Sequence, residues 1–530
     1  MSSADSSPRS HAVAQTLSQP PRIGRCVVAL ILWLAVVDLG YWLAGLRLDI
    51  DDLPRHWQFL SLTLLQHDLL RSLYYLHCQP PLYNLFLGVV LKAAPEHYVA
   101  VFYGANLVLG VVFELSLFWL LYRLDVGLVT ATVTAGLFAA SPAFALWQSV
   151  LFYTFLLATL IALSGVCLVE FLRSRRTWAV AAFFFLLFLV CGIRALFHLG
   201  FFLLLVAALV VACRSDWRKI LLCAAIPFLL LVAIYAKNYF VFGQFGTSTW
   251  FGLNFWSMTT RNIPFEERKT LVRQGVLSPV SLLDRESKLK EYPPEYRDVS
   301  KFPNVPALVD PVKSTGAPNM NYAAYMAISK AYGKDAIAGL KQHPTSFLIG
   351  LARSYFCYLK SPADHMNLVR NRPYTEPLAS VVDYGLFGKI PYDFGNIKGP
   401  FVHTHTEAQY AYVFLAIGLP ALVLYGLALL VRERASLQGL PQARGELGTR
   451  AASMGATSKL TAAQYGLLLY MLFTIIYVFL VSTTFESAEN NRYRFNTEGF
   501  YVVLLGFFVD RVIIRWYRRQ RLRPLTADAN

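Results

Sequence analysis

The chain has 530 residues, 56% of them hydrophobic and only 15% charged, with a formal net charge of +16. A soluble domain carries about a quarter charged residues, so this composition excludes the water-soluble class. It also gives no support to nucleic-acid binding: Lys and Arg sit beside the ends of apolar blocks, with no basic face alternating with stacking aromatics. Inner-loop charge and contact with anionic lipid account for them instead.

Residues 1–25, rich in Ser and Gln, are predicted to be a disordered cytoplasmic N-terminus carrying Arg9, Arg22 and Arg25. The first apolar block, Cys26 to Leu46, is too long for a cleaved signal and has no small-residue cleavage site, so it reads as a signal anchor. Further apolar blocks of roughly the length that crosses ~30 Å of hydrocarbon follow. The predicted spans are 26–46, 98–121, 128–146, 153–172, 177–192, 198–213, 220–236, 408–431, 462–482 and 497–514. The expected fold is therefore an all-α polytopic membrane protein of about ten helices. It has a membrane region over 26–236, an external region over 237–407, a second membrane set over 408–514 and a basic cytoplasmic tail over 515–530.

Sidedness follows from the basic residues. Loops predicted inside hold Arg123; Arg173, Arg175 and Arg176; Arg214, Arg218 and Lys219; Arg432, Arg434, Arg444, Arg450 and Lys459; and the tail adds five arginines. Short external loops hold only Arg194, Arg492 and Arg494, the pattern of the positive-inside rule. The run Pro81 to Ala94 is about 14 residues, too short to span, and is predicted to lie at the outer interface within a first external loop over 47–97. The external region 237–407 is expected to hold helices at Asn321–Lys341 and Thr345–Leu359, with loops at Pro303–Pro318 and Gly385–Pro400. The seven cysteines are scattered without metal-ligand spacing. Cys78 and Cys357 both fall outside the membrane, which leaves pairing open.

Several residues have the chemistry of a site. Asp49, Asp51 and Asp52, followed by Arg55, place three carboxylates just outside the first span, suited to a general base or a cation site. The same cluster would also serve as a solvated helix start. His77 and Gln79 precede the paired prolines 80 and 81 and would sit beside the carboxylates if the loop folds back. Arg194 and His198 are one helical turn apart, and an arginine at the membrane surface calls for a phosphate or carboxylate partner unless it snorkels. With Arg492 and Arg494 in the loop Glu486–Phe495, Arg194 is expected to form an outward-facing anion site. Asp38 and Glu114 are ionisable groups inside spans, compatible with a proton path.

Taken in order, these motifs resemble the GT-C class of membrane glycosyltransferases, specifically the glycosyltransferase 39-like group that includes protein O-mannosyltransferases and the lipid A aminoarabinose transferase. The residues that carry the resemblance are the acidic first external loop, the His77-Cys78-Gln79-Pro80-Pro81-Leu82 segment, paired spans with basic inner turns, and Glu489 to Phe495. The resemblance implies a sugar donor on a polyprenyl phosphate, chemistry on the non-cytoplasmic face, and a first-loop carboxylate as base. The base would be one of Asp49, Asp51 and Asp52. Arg55, His77, Gln79, Gln148, Tyr153, Arg194, His198, Glu489, Arg492 and Arg494 would be substrate-binding. Many relatives have a second acid where this chain has Gln148, so a two-acid or metal-bridged mechanism is not implied. A divalent cation is possible but not required. The acceptor (lipid, glycan or protein) is left open. The setting implied is a bacterial inner membrane with the site facing the periplasm. Two other classes stay open: a transporter or flippase, and a non-catalytic assembly protein.

Overall fold

A computed structural model describes residues 20–285, 287–387, 410–438, 460–514 and 517. The N-terminal 1–19, the inner-loop arginines 444 and 450, Lys459, most of the Gly385–Pro400 loop and nearly all of the basic tail lie outside the described residues. Among those described the fold is entirely helical; no β-strand forms, and two isolated bridges, Asp49 with Val150 and Val312 with Pro318, pin loops together.

Each of the ten apolar blocks coincides with helix, because a chain in hydrocarbon must satisfy its backbone groups internally. Among the described residues five helices are long and apolar enough to cross a membrane: Arg22–Leu43, Tyr98–Arg123, Tyr153–Ser174, Arg214–Phe242 and Ala462–Phe485. A sixth arises if Leu128–Ala139 and Pro142–Gln148 are one span bent by 58°. The bend falls where Ser141 caps the second piece, accepting a hydrogen bond from the Phe144 N–H, and Pro142 occupies its first turn. Thr177–Ile193 and Leu199–Ala212, at 17 and 14 residues, are short for a span. The structure thus supports a helical membrane protein, with five helices of spanning length among the described residues, or six if the bent pair is one span.

Tyr153–Ser174 is the hub, with 72% of its most apolar window buried, against 11% for the peripheral first helix. It packs on Tyr98–Arg123, Thr177–Ile193, Ala462–Phe485 and Asn490–Phe508. The run expected at the interface forms the 12-residue helix Leu82–Ala93, which packs on the short helices Leu62–His67 and Leu69–Tyr74. In the external region the expected helices form at Ala324–Gln342 and Pro344–Leu359. This region is not separate from the bundle. Phe251–Met258 lies on Ala324–Gln342 so closely that a Cβ on Gly252 would come within 1.8 Å of the Ser329 carbonyl oxygen. Pro344–Leu359 lies against Ala462–Phe485 and Asn490–Phe508. Cys78 and Cys357 are both free thiols, so the pairing left open by the sequence does not form.

Candidate functional site

Polar side chains converge at one end of the bundle in two adjoining groups, carboxylates from the first loop and cations from the later ones. Asp49 is fixed by its backbone, which donates to the Ser149 carbonyl at 2.7 Å and accepts from the Leu151 N–H at 2.8 Å. Its buried carboxylate accepts from the Asp51 N–H and meets Arg370 at 3.4 Å. Asp51, half exposed, is held by Arg370 at 2.9 Å and weakly by Arg55 at 3.9 Å. Asp52 opens the short helix Asp52–Arg55 and accepts from the Asn367 side-chain amide. Burial is the main cause that pushes its carboxyl up to about 6; Asn367 opposes the shift and Asp49 adds to it.

The second group is centred on Glu489, Arg194 and Arg492. Arg492 is almost fully buried, ion-paired to Glu489, hydrogen-bonded to the Tyr153 hydroxyl at 2.9 Å and seated 4.9 Å over the Phe152 ring. Arg194 donates to the same Tyr153 hydroxyl at 2.6 Å, to Gln58 at 3.2 Å and to the Tyr493 hydroxyl, with Glu489 at 3.8 Å. Burial works to raise the Glu489 carboxyl, but Arg492, His365, Arg194 and Arg285 outweigh it and hold it below the ordinary carboxylate range. A second pair, Glu486 with Arg285 at 3.6 Å, lies alongside.

Arg194 and Tyr493 form part of the wall of a cavity of about 540 Å³, shared with Gln58, Gln79, His198 and Glu486. The three first-loop aspartates do not line it. Asp52 and the neighbouring His56 both feel the charge of Arg492, which shares the Tyr153 hydroxyl with the cavity-wall Arg194.

The sequence-predicted residues divide accordingly. The three aspartates come together as expected, and Tyr153, Arg194, Glu489 and Arg492 form one network. Gln79 and His198 face the cavity; the His198 ring bonds the Tyr477 hydroxyl at 3.1 Å. Four residues lie elsewhere. Arg55 is in solvent, with a side chain 76% exposed. His77 is buried between Thr249 and Asn321, at 2.8 and 2.9 Å, and so anchors the external region instead of reaching the carboxylates. Gln148 turns into the bundle and donates to Asp38 at 3.3 Å, a position opened by Gly110. Arg494 donates to the carbonyls of Tyr358 and Lys360 and pairs with Glu498, so it has no part in the anion site.

Residues missed by sequence reading supply most of the partners: Gln58, Arg285, His365, Asn367 and Arg370. His56 was also missed. Its ring is wedged against Phe59 and Phe152, and burial first, then Arg492, keep it neutral well below the usual imidazole range. The segment Asp364-His365-Met366-Asn367 carried a usable signal, an acid, an imidazole and an amide within four residues, followed closely by Arg370. Among the described residues no set of three His, Cys, Asp or Glu side chains is disposed to hold a metal ion, and Arg370 occupies Asp49 and Asp51. A bound divalent cation therefore does not fit the carboxylate cluster as it stands.

No family model, no curated protein and no solved structure matches this chain.

Proposed function

We propose that the chain is a membrane glycosyltransferase that moves a sugar from a polyprenyl-phosphate donor to a hydroxyl acceptor on the non-cytoplasmic face. The observation that carries this reading is that, at one end of a helical bundle, a carboxylate tuned near neutral pH lies in the field of the buried Arg492, which shares the Tyr153 hydroxyl with Arg194 at a cavity wall. A base works best when its pKa lies near the working pH, which singles out Asp52 from the three aspartates. The Asp49 carboxylate is taken up by the Asp51 N–H and Arg370, and that of Asp51 by Arg370.

In this reading the donor phosphate enters the cavity against Arg194, with His198 and Gln79 beside it. The acceptor oxygen attacks the anomeric carbon and its proton passes to Asp52. The bond from anomeric carbon to phosphate oxygen breaks, and its electron pair leaves on the phosphate. Arg194, held in register by Tyr153 and Glu489, stabilises that growing charge from a fixed position, where a preorganised cation is most effective. One displacement gives inversion at the anomeric carbon. The positive-inside pattern supports a ten-span arrangement with both termini inside and the site facing the periplasm of a bacterial inner membrane.

The test is mass spectrometry of envelope lipids, glycans and glycoproteins from wild type, a deletion strain and an Asp52→Asn strain with normal protein level. The same glycosyl mass should vanish in deletion and mutant. An unchanged glycan profile in the deletion refutes the transferase, and a wild-type profile in the mutant refutes Asp52 as base.

A second reading, a proton-coupled transporter, is favoured by one observation. Glu114 is fully buried in the Tyr98–Arg123 span with neither carboxylate oxygen hydrogen-bonded, and Asp38 of the first span meets Gln148 nearby. Dependence of any substrate flux on Glu114 but not on Asp52 would favour it.

A further inference from the structure

Pro344–Leu359 belongs by sequence to the external region, yet its pattern is inverted relative to a helix that faces water. The face turned into the protein is small and polar: Ser346, Gly350 and Ser354, four residues apart, followed by Tyr358. The face turned outward is apolar, with Leu348 62%, Ile349 44% and Phe356 56% exposed and Ala352 between them. Arg353 is the one charged residue in its 16 positions, and its guanidinium reaches back to Asn262 at 2.5 Å. Small residues inward and large apolar residues outward is the arrangement of helices packed in lipid, where close backbone approach replaces hydrophobic burial. A Cβ on Gly350 would come within 2.2 Å of the Met258 carbonyl oxygen, so that approach is made.

The helix also descends along the bundle. Its start is polar, with His343 facing Glu267 at 3.4 Å. Its end reaches Phe479, ring centroids 5.1 Å apart, and the Tyr501 hydroxyl at 3.1 Å. Phe479 lies six residues, or about 9 Å, below the end of its own span Ala462–Phe485. At that depth the last carbonyls of a helix find no water, and Arg494 donates to those of Tyr358 and Lys360. The chain then returns through Ser361 and Asp364, both bonded to the Asn491 amide, to bring His365 and Asn367 to the site.

We propose that Pro344–Leu359 is a re-entrant membrane helix whose Leu348, Ile349, Ala352 and Phe356 face lies against lipid acyl chains in the leaflet nearest the cavity. The occupant is lipid and not a second protein because the face is continuous with a lipid-facing span. The aromatic row Phe347, Phe255, Phe251 and Phe485 links it to Ala462–Phe485, whose own Leu480 is 54% exposed. The proposal does not depend on the enzymatic reading.

The test uses the full chain in phosphatidylcholine nanodiscs, with or without bromine on the acyl chains. Phe356→Trp and Leu348→Trp are compared with wild type, and Lys334→Trp, on the exposed side of Ala324–Gln342, serves as the aqueous control. The emission added at 356 and 348 should be largely lost with brominated lipid and insensitive to acrylamide, with the reverse at 334. Acrylamide quenching at 356 and 348 would show a water-facing helix and overturn the proposal. Quenching by neither would show a protein-covered face and overturn it equally. Two independent positions keep the test decisive if one substitution misfolds.

Discussion

Replacing Glu489 by Gln removes the one carboxylate that faces Arg492, Arg194 and His365 together. The Arg492 guanidinium, about 1% exposed, would then keep the Tyr153 hydroxyl but lose its counter-charge. Breaking a buried ion pair from one side costs about 3–5 kcal/mol, most of it from the uncompensated charge left behind. The lower end of that range is expected here, because Tyr153, Phe152 and Tyr493 still surround the cation. A loss of about 3 kcal/mol is more than a hundredfold in the folded-to-unfolded ratio. The assay is urea unfolding of the purified protein in mild detergent near neutral pH, run as a double-mutant cycle with Arg492→Gln. The double variant should recover more than about 1 kcal/mol relative to the sum of the singles, since neutralising both partners removes the buried orphan guanidinium of Arg492 and leaves only the less buried Arg194 without its carboxylate. A single-variant loss below about 1 kcal/mol, or strict additivity, would refute the claim that the pair is a buried, mutually dependent unit.

Asp52→Asn should lower transfer about 10²–10⁴-fold, the usual contribution of a positioned base, while leaving the protein in the membrane, as read by product formation in isolated membranes. In wild type, activity should fall as pH drops through about 6, where Asp52 takes up a proton. The same raised pKa has a stability sign. The folded state binds that proton more tightly, so the contribution is fully present below about 3.8 and is lost as pH rises through about 6. Asp52→Asn should accordingly raise stability near neutral pH by about 1–3 kcal/mol and have little effect in acid, as measured by denaturant titration at the two pH values. Gly252→Ala should destabilise by several kcal/mol or block folding, because the methyl would meet backbone at Ser329 and Gly333 that cannot swing away; a near-neutral effect on the unfolding midpoint would show the helices can separate there. Arg494→Gln should cost about 2–4 kcal/mol by orphaning the Tyr358 and Lys360 carbonyls, and hydrogen exchange should speed selectively at the end of Pro344–Leu359.

Much of the architecture was legible in the residues because the bilayer is a severe solvent. It demands helix, sets the length of each apolar block and biases which loops are basic, so the ten helical blocks, the short Leu82–Ala93 helix and the polar cluster at one end could all be read directly. Among the described residues five of these helices, or six with the bent pair, have spanning length, and Thr177–Ile193 and Leu199–Ala212 are shorter. Roles of single polar residues were only partly legible. Of the three arginines expected to form an anion site, Arg194 and Arg492 come together on Tyr153 and Glu489, and Arg494 does not join them. His77, Gln148 and Arg494 carry the same kinds of atoms but spend them on Asn321, Asp38 and the Tyr358 carbonyl. Sequence gives the donors and acceptors a chain owns, whereas their partners are set by three-dimensional proximity. Arg370 and Asn367 stand more than three hundred residues from the aspartates they hold, at |i−j| of 321 and 315. The sequence by itself determined the solvent this chain lives in and the secondary structure that solvent permits. Only the tertiary structure decided which buried charges are already satisfied and which carboxylate is left to titrate, because that depends on distances of a few ångströms between segments far apart along the chain.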